Sequence, residues 1–241
     1  MVKYEISIRK PFTDISKLII GIIVSMIPLI NWIARGFIIE SSGFGKTRPS
    51  KKMPDWKNWA SLFFKGFASI AIAFIYAIPA IIVLIASAGL AVASLANTYL
   101  GTIIPNSLVT SVMAGGTSPR VIGQLISQNW YLALPTIITL APIIIIGLVL
   151  LLMALYLTPV AVLNYLKNGK FSKAFDINYV TKKACTAKYF VVWIVAGVIT
   201  MVITAILGLI PLIGTQIAFF VSGVISYSLY GDALREIKNK K

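Results

Sequence analysis

Glu5, Asp14, Glu40, Asp55, Asp176, Asp232 and Glu236 are the only carboxylates in a chain of 241 residues that has no histidine and one cysteine, Cys185. Paired carboxylates could move protons for a substrate, yet no two of these acids have the close spacing of a membrane phosphotransferase metal site. They stand among lysines and arginines, where helix caps and ion pairs are the expected use. Without histidine the chain lacks the commonest metal ligand and the usual base at neutral pH, and one cysteine allows no internal disulfide. No metal site, cofactor or catalytic constellation is expected. Gly45-Lys46-Thr47 matches the end of a phosphate-binding loop, but Glu40 occupies the place of the first glycine and no strand or helix is set to form the cradle. It reads as loop.

Arg35 is the most informative charge, because it lies a turn or more inside an apolar segment, and a charge inside a membrane marks a functional site by default. Snorkelling to a lipid phosphate and lining a cavity with Glu40 as partner are its two readings. Asn31, four residues earlier, could line the same path or bond another helix.

The elements that must position these residues are membrane helices. Hydrophobic residues make up 58% of the chain and charged ones 12%, with mean hydropathy +0.89, well outside the composition of a soluble domain. No charged side chain occurs between Lys65 and Arg120 or between Arg120 and Lys167. A hydrocarbon core about 30 Å thick needs roughly 20 helical residues, so each interval holds at least one span. The fold expected is all-α: a polytopic membrane bundle in one domain, with hydrophobic segments over 18–39, 68–95, 130–164, 189–207 and 216–230. Pro28 and Asn31 break the first segment, and Pro211 and Gly214 turn the last two into a hairpin. The third segment is long enough that it must tilt, protrude or break at Pro135, Pro142 or Pro159. Two amphipathic interfacial helices are predicted, one over 55–67 with Asp55 as N-cap and Trp56 and Trp59 on its apolar face, the other over 169–178. Lys57, Lys65, Lys170 and Lys173 would reach headgroups from them.

The balance of 22 basic to 7 acidic residues, net +15, is read as topology rather than nucleic-acid binding, with anionic lipid headgroups as the partner. Basic residues form clusters of 4 up to Lys17, 7 from Arg35 to Lys65, 6 from Lys167 to Lys188 and 4 from Arg235 onward, with Arg120 alone. If the first segment is a re-entrant hairpin, 21 lie inside and 1 outside; if it crosses, 17 and 5. The positive-inside rule favours re-entry, with a cytoplasmic C-terminus in the cell membrane. Ile-Pro-Leu-Ile occurs at 27–30 and again at 210–213, each time between apolar half-segments, as either an internal repeat or chance recurrence in an Ile-rich chain would leave it.

The run Pro11-Phe12-x-Asp14-x-x-Lys17-Leu18-x-x-Gly21, the Ile27-Pro28-x-x-Asn31 break, Pro54-x-Trp56, Asn164-Tyr165-x-x-x-Gly169-x-Phe171-x-x-Ala174-Phe175, Ile210-Pro211-x-x-Gly214 and Gly231-x-x-x-Arg235-Glu236 resemble a family of small, mostly archaeal, multi-pass membrane proteins of unknown function. A more distant likeness is to the membrane domains of some glycerophosphodiester phosphodiesterases, whose catalytic barrel has no counterpart here. The resemblance implies a fold and supplies no activity. Three function classes remain. A non-enzymatic component binding lipid headgroups, a protein partner or a second copy explains the charge. A small-solute or ion transporter or channel would use the broken first helix, and a lipid-directed enzyme would have to act without histidine.

Overall fold

A computed structural model describes residues 2, 4–45, 52–102, 106–114 and 119–237. Lys46 and Thr47 of the loop tripeptide, the rest of the basic stretch 46–51, Pro105, Gly115, Gly116 and the lysines of the C-terminal tail lie outside the described residues. Helices and turns account for the regular structure, with no strand among the described residues. In order they are α1 Tyr4–Arg9, a 3-10 turn Lys10–Thr13, α2 Ile15–Met26, α3 Asn31–Ser41, α4 Trp59–Thr102, α5 Asn106–Met113 and α6 Pro119–Gln128, followed by a 3-10 turn Trp130–Ala133, α7 Leu134–Asn168, a 3-10 turn Phe171–Phe175, α8 Ile177–Ala184, α9 Ala187–Leu207 and α10 Gly214–Glu236. Four stretches are long and apolar enough to cross a bilayer: Trp59–Tyr99, Trp130–Asn168, Ala187–Leu207 and Gly214–Glu236. The chain is a multi-pass α-helical membrane protein.

Two compact units divide it, one of Met1–Tyr76 with Leu155–Lys241 and one of Ala77–Ala154. In the second unit Ser94 Oγ and Thr136 Oγ1 are 2.9 Å apart, and the Tyr99 hydroxyl donates to Asn129 O at 3.0 Å. The first unit is organised around α10. Of its most apolar stretch 72% is buried, against 11% for α9, and it packs on α9, α3, α2 and α1. A helix enclosed on so many sides cannot carry a polar face, and Phe220, Val224, Ile225, Leu229 and Ala233 are all buried.

The first hydrophobic segment breaks around Pro28, where Leu29 takes a positive φ of 65° that no helix continues through. Helices α2 and α3 have 12 and 11 residues, about 18 and 16 Å at 1.5 Å per residue, each well short of the core thickness. They pack on each other across the turn 27–30. The second Ile-Pro-Leu-Ile makes the same turn. Ile30 N donates to Pro28 O and Asn31 N to Ile27 O at 2.8 and 2.9 Å; Ile213 N donates to Pro211 O and Gly214 N to Ile210 O at 2.9 and 3.1 Å. Leu29 and Leu212 both take positive φ, 65° and 70°. Phe37 and Phe220, each eight residues after the leucine of its turn, stack with centroids 5.8 Å apart.

Both interfacial helices differ from expectation. The first begins at Trp59 and runs on into α4, because Asn58, at φ 57°, accepts from Ser61 N and caps the helix there, while Asp55 is drawn to Lys17. The second is a 3-10 turn followed by α8, interrupted where the Asp176 carboxylate accepts from Tyr179 N and starts a new helix. Helix α7 passes Pro142 and Pro159 without ending.

Candidate functional site

The polar groups of the first unit converge at the C-terminal end of α3. A helix leaves its last carbonyls without intrahelical donors, and here cations take that role. The buried Lys10 donates its Nζ to Ser41 O and Arg235 donates to Ser42 O, while Ser228 Oγ donates to Ser41 O at 3.3 Å. Positive charge at a helix C-terminus is favourable by the dipole as well. Lys183 does the same for the end of α10, donating to Ile237 O; burial, with Lys167 and Lys182 nearby, holds its ammonium below the ordinary lysine pKa.

Glu40 stands at the centre of this end, paired with Lys65 from α4. Two clefts open on either side of it. One, of about 220 Å³, is lined by Lys10, Glu40, Ser41, Lys52, Met53 and Asp55 among others; the other, of about 180 Å³, by Glu40, Phe44, Gly45, Lys65, Leu166 and Lys167. Four lysines against two acids give the rim a net positive charge. Asp55 adds to the wall through Lys17 at 2.7 Å and Lys57 at 3.7 Å. The Lys17 hydrogen bond holds the Asp55 carboxyl below the usual carboxylate range and raises Lys17 in turn.

Trp56 is the residue whose role differs most from the sequence reading. It stacks on Phe37 with centroids 4.0 Å apart and rings 13° from parallel, and donates Nε1 to Lys17 O at 3.2 Å. It is therefore a wedge holding the 52–58 segment against α2 and α3, whereas Trp59 is 45% exposed. Lys57 and Lys170 project from the surface, and Lys173 pairs with Asp176 at 3.6 Å. The segment bearing those last lysines is fastened by the Tyr76 hydroxyl to Ala174 O, by Asn164 Nδ2 to Lys173 O and by the Tyr156 hydroxyl to Ala184 O.

Arg35 does not reach Glu40, which Lys65 has taken; its Nε donates to Ser69 Oγ of α4 at 3.0 Å. Asn31 keeps a buried Oδ1 with no hydrogen-bond partner among the described residues. The seam beside them is closed to backbone contact. A Cβ on Gly36 would lie 1.9 Å from Leu62 O, and one on Gly66 1.8 Å from Trp32 O, so small residues set the α3–α4 distance. Pro28, Pro211 and Gly214 serve the two turns; a Cβ on Gly214 would meet Leu207 O at 1.8 Å.

Sequence does not single out the carbonyl-capping cations Lys10, Lys183 and Arg235, and it marks Lys65 for headgroups and Glu40 for Arg35 rather than for each other; only proximity in space reveals these pairings. A family model described as "Protein of unknown function (DUF4013)" matches residues 19–212. No curated protein and no solved structure matches the chain.

Proposed function

The chain belongs to this family of proteins of unknown function, and from that premise we propose that it is a non-enzymatic membrane component that binds anionic lipid headgroups at its cytoplasmic face. The observation that carries the reading is the pair of clefts around Glu40, rimmed by Lys10, Lys52, Lys65 and Lys167. Each is of a size for one phosphate-bearing headgroup, and anionic leaflets attract such clusters. In this reading α2 and α3 form a re-entrant hairpin, the N- and C-terminal elements share the cytoplasmic side, and the membrane is the cell membrane. A conduit through the hairpin would need a wet gap, and backbone contact at Gly36 and Gly66 speaks for packing instead.

Two measurements test this. Reconstituted in nanodiscs, the wild type gains thermal stability when phosphatidylglycerol replaces phosphatidylcholine, and Lys52→Gln/Lys65→Gln/Lys167→Gln loses most of that gain; equal gains in both proteins sink the cleft. For topology, an impermeant thiol reagent applied to intact cells labels Arg120→Cys in a Cys185→Ala background and spares both Glu5→Cys in that background and the native Cys185. Labelling of Glu5→Cys would mean that the first segment crosses the membrane.

A further inference from the structure

Arg35 is a guanidinium between two candidate spans, donating to Ser69 of α4 and within electrostatic reach of Tyr227 of α10. No carboxylate pairs with it among the described residues, since Glu40, the one acid on its own helix, is held by Lys65. Arg35 is half-buried, and a guanidinium at such a place draws anionic or carbonyl oxygens to it. The Nε–Ser69 bond fixes the plane of the fork and leaves both Nη groups to act together, the geometry that suits two oxygens of one phosphate. One helical turn away on the same face of α3 is Asn31, whose buried Oδ1 lacks a donor. The two side chains are complementary: Arg35 offers donors through its Nη groups and Asn31 offers an acceptor.

We propose that Arg35, Asn31 and Ser69 form an intramembrane site for a phosphate-class anion that also carries a hydroxyl or ammonium donor. Arg35 binds the phosphate oxygens through its Nη groups, Ser69 orients the fork, and Asn31 accepts from the ligand's donor. A phospholipid with a hydroxylated headgroup and protonated free phosphate share this chemistry. The site rests on the lipid-binding membrane reading given above but uses none of the cleft lysines.

The test is native mass spectrometry of the full chain in detergent, titrated with phosphatidylglycerol, with phosphatidylcholine and with inorganic phosphate. Wild type is expected to hold one phosphatidylglycerol at least 10-fold more tightly than Arg35→Gln, and Arg35→Lys to fall between, because it keeps the charge and loses the fork. Asn31→Ala should weaken phosphatidylglycerol several-fold. Competition by millimolar inorganic phosphate assigns the site to free phosphate, and its failure assigns it to lipid; either outcome supports an anion site at Arg35. The proposal is overturned if folded Arg35→Gln retains phosphatidylglycerol as wild type does, or if phosphatidylcholine is held equally well. Should Arg35→Gln not fold, unchanged affinity in Arg35→Lys overturns it in the same way. Lys52→Gln/Lys65→Gln/Lys167→Gln is expected to keep this one lipid, so failure of the clefts and failure of the Arg35 site give different patterns.

Discussion

Replacing Gly36 or Gly66 by alanine tests how α3 is held to α4. The new methyl would sit 1.9 Å from Leu62 O or 1.8 Å from Trp32 O, and ordinary contact begins at 3.4 Å. Backbone on both sides cannot rotate away, so α3 must move out by about 1.5 Å, the shortfall from ordinary contact. Overpacking of this kind costs about 1–3 kcal/mol, and the same movement strains the Arg35–Ser69 bond and the Glu40–Lys65 pair. The two glycines lie on one seam, so a single outward shift relieves both clashes. Gly36→Ala/Gly66→Ala should therefore lose little more than the worse single variant, leaving a coupling of about 1 kcal/mol or more between neighbours that share one strain. Unfolding in mixed micelles as a function of dodecyl sulfate fraction, followed by tryptophan fluorescence, gives the three values. Single variants within 0.5 kcal/mol of wild type, or strictly additive losses, would refute the close-packed seam.

Trp56→Ala should destabilise the fold by about 3 kcal/mol, in the range for a truncated core aromatic, and the same micelle assay reads it; a change below 1 kcal/mol would return Trp56 to the lipid interface. Asp55→Asn removes the nearer carboxylate partner of Lys17, at 2.7 Å, and leaves Asp14 at 3.5 Å. Because the Asp55 carboxyl titrates below its ordinary 3.8 in the folded chain, its contribution is present above that value and lost as pH falls through the folded pKa; raised Lys17 keeps its share until pH passes its own value, above 10.5. The gap in unfolding midpoint between wild type and Asp55→Asn should thus be flat from pH 5 to 9 and close below pH 3.8, while a gap that persists in acid would assign it to another cause. Leu212, at φ 70° and 91% exposed, should tolerate glycine with a gain of about 1 kcal/mol from relieved left-handed strain; a loss in the micelle assay would show that its side chain, not its backbone, matters.

Much of the architecture was legible because membrane solvation writes it plainly: the charge-free intervals placed the spans, and Pro28 and Pro211 placed both turns. The third segment was legible in extent, while the choice among tilting, protruding and breaking was not; α7 runs on through Pro142 and Pro159. The interfacial helix over 55–67 failed on local chemistry. Helical spacing of Trp56, Trp59, Phe63 and Phe67 was real, but Trp56 had a better partner in Phe37, nineteen positions earlier in sequence, and Asn58 supplied the cap. The site was the least legible part. Lys10 and Ser41, or Arg235 and Ser42, are joined only by the fold, and nothing in a charge pattern separates a lysine that faces headgroups from one that closes a helix. Asn31 and Arg35 were visible as an unusual pair; that Arg35 bonds Ser69 in place of Glu40, and that Asn31 Oδ1 has no donor, was not.

The burial of α10 also dictates an order of assembly. A ribosome delivers about 5–20 residues per second, so α3, ending at Ser41, waits about 10 to 40 s before the last residues of α10, ending at Glu236, exist to pack on it. During that interval α2 and α3 are too short to cross the bilayer and lack the surface that α10 will provide through Phe220 and Val224. Until α10 has been made, α2 and α3 lack the surface they pack on, so a helix ending almost two hundred residues downstream of α3 is the one that commits α3 to its place.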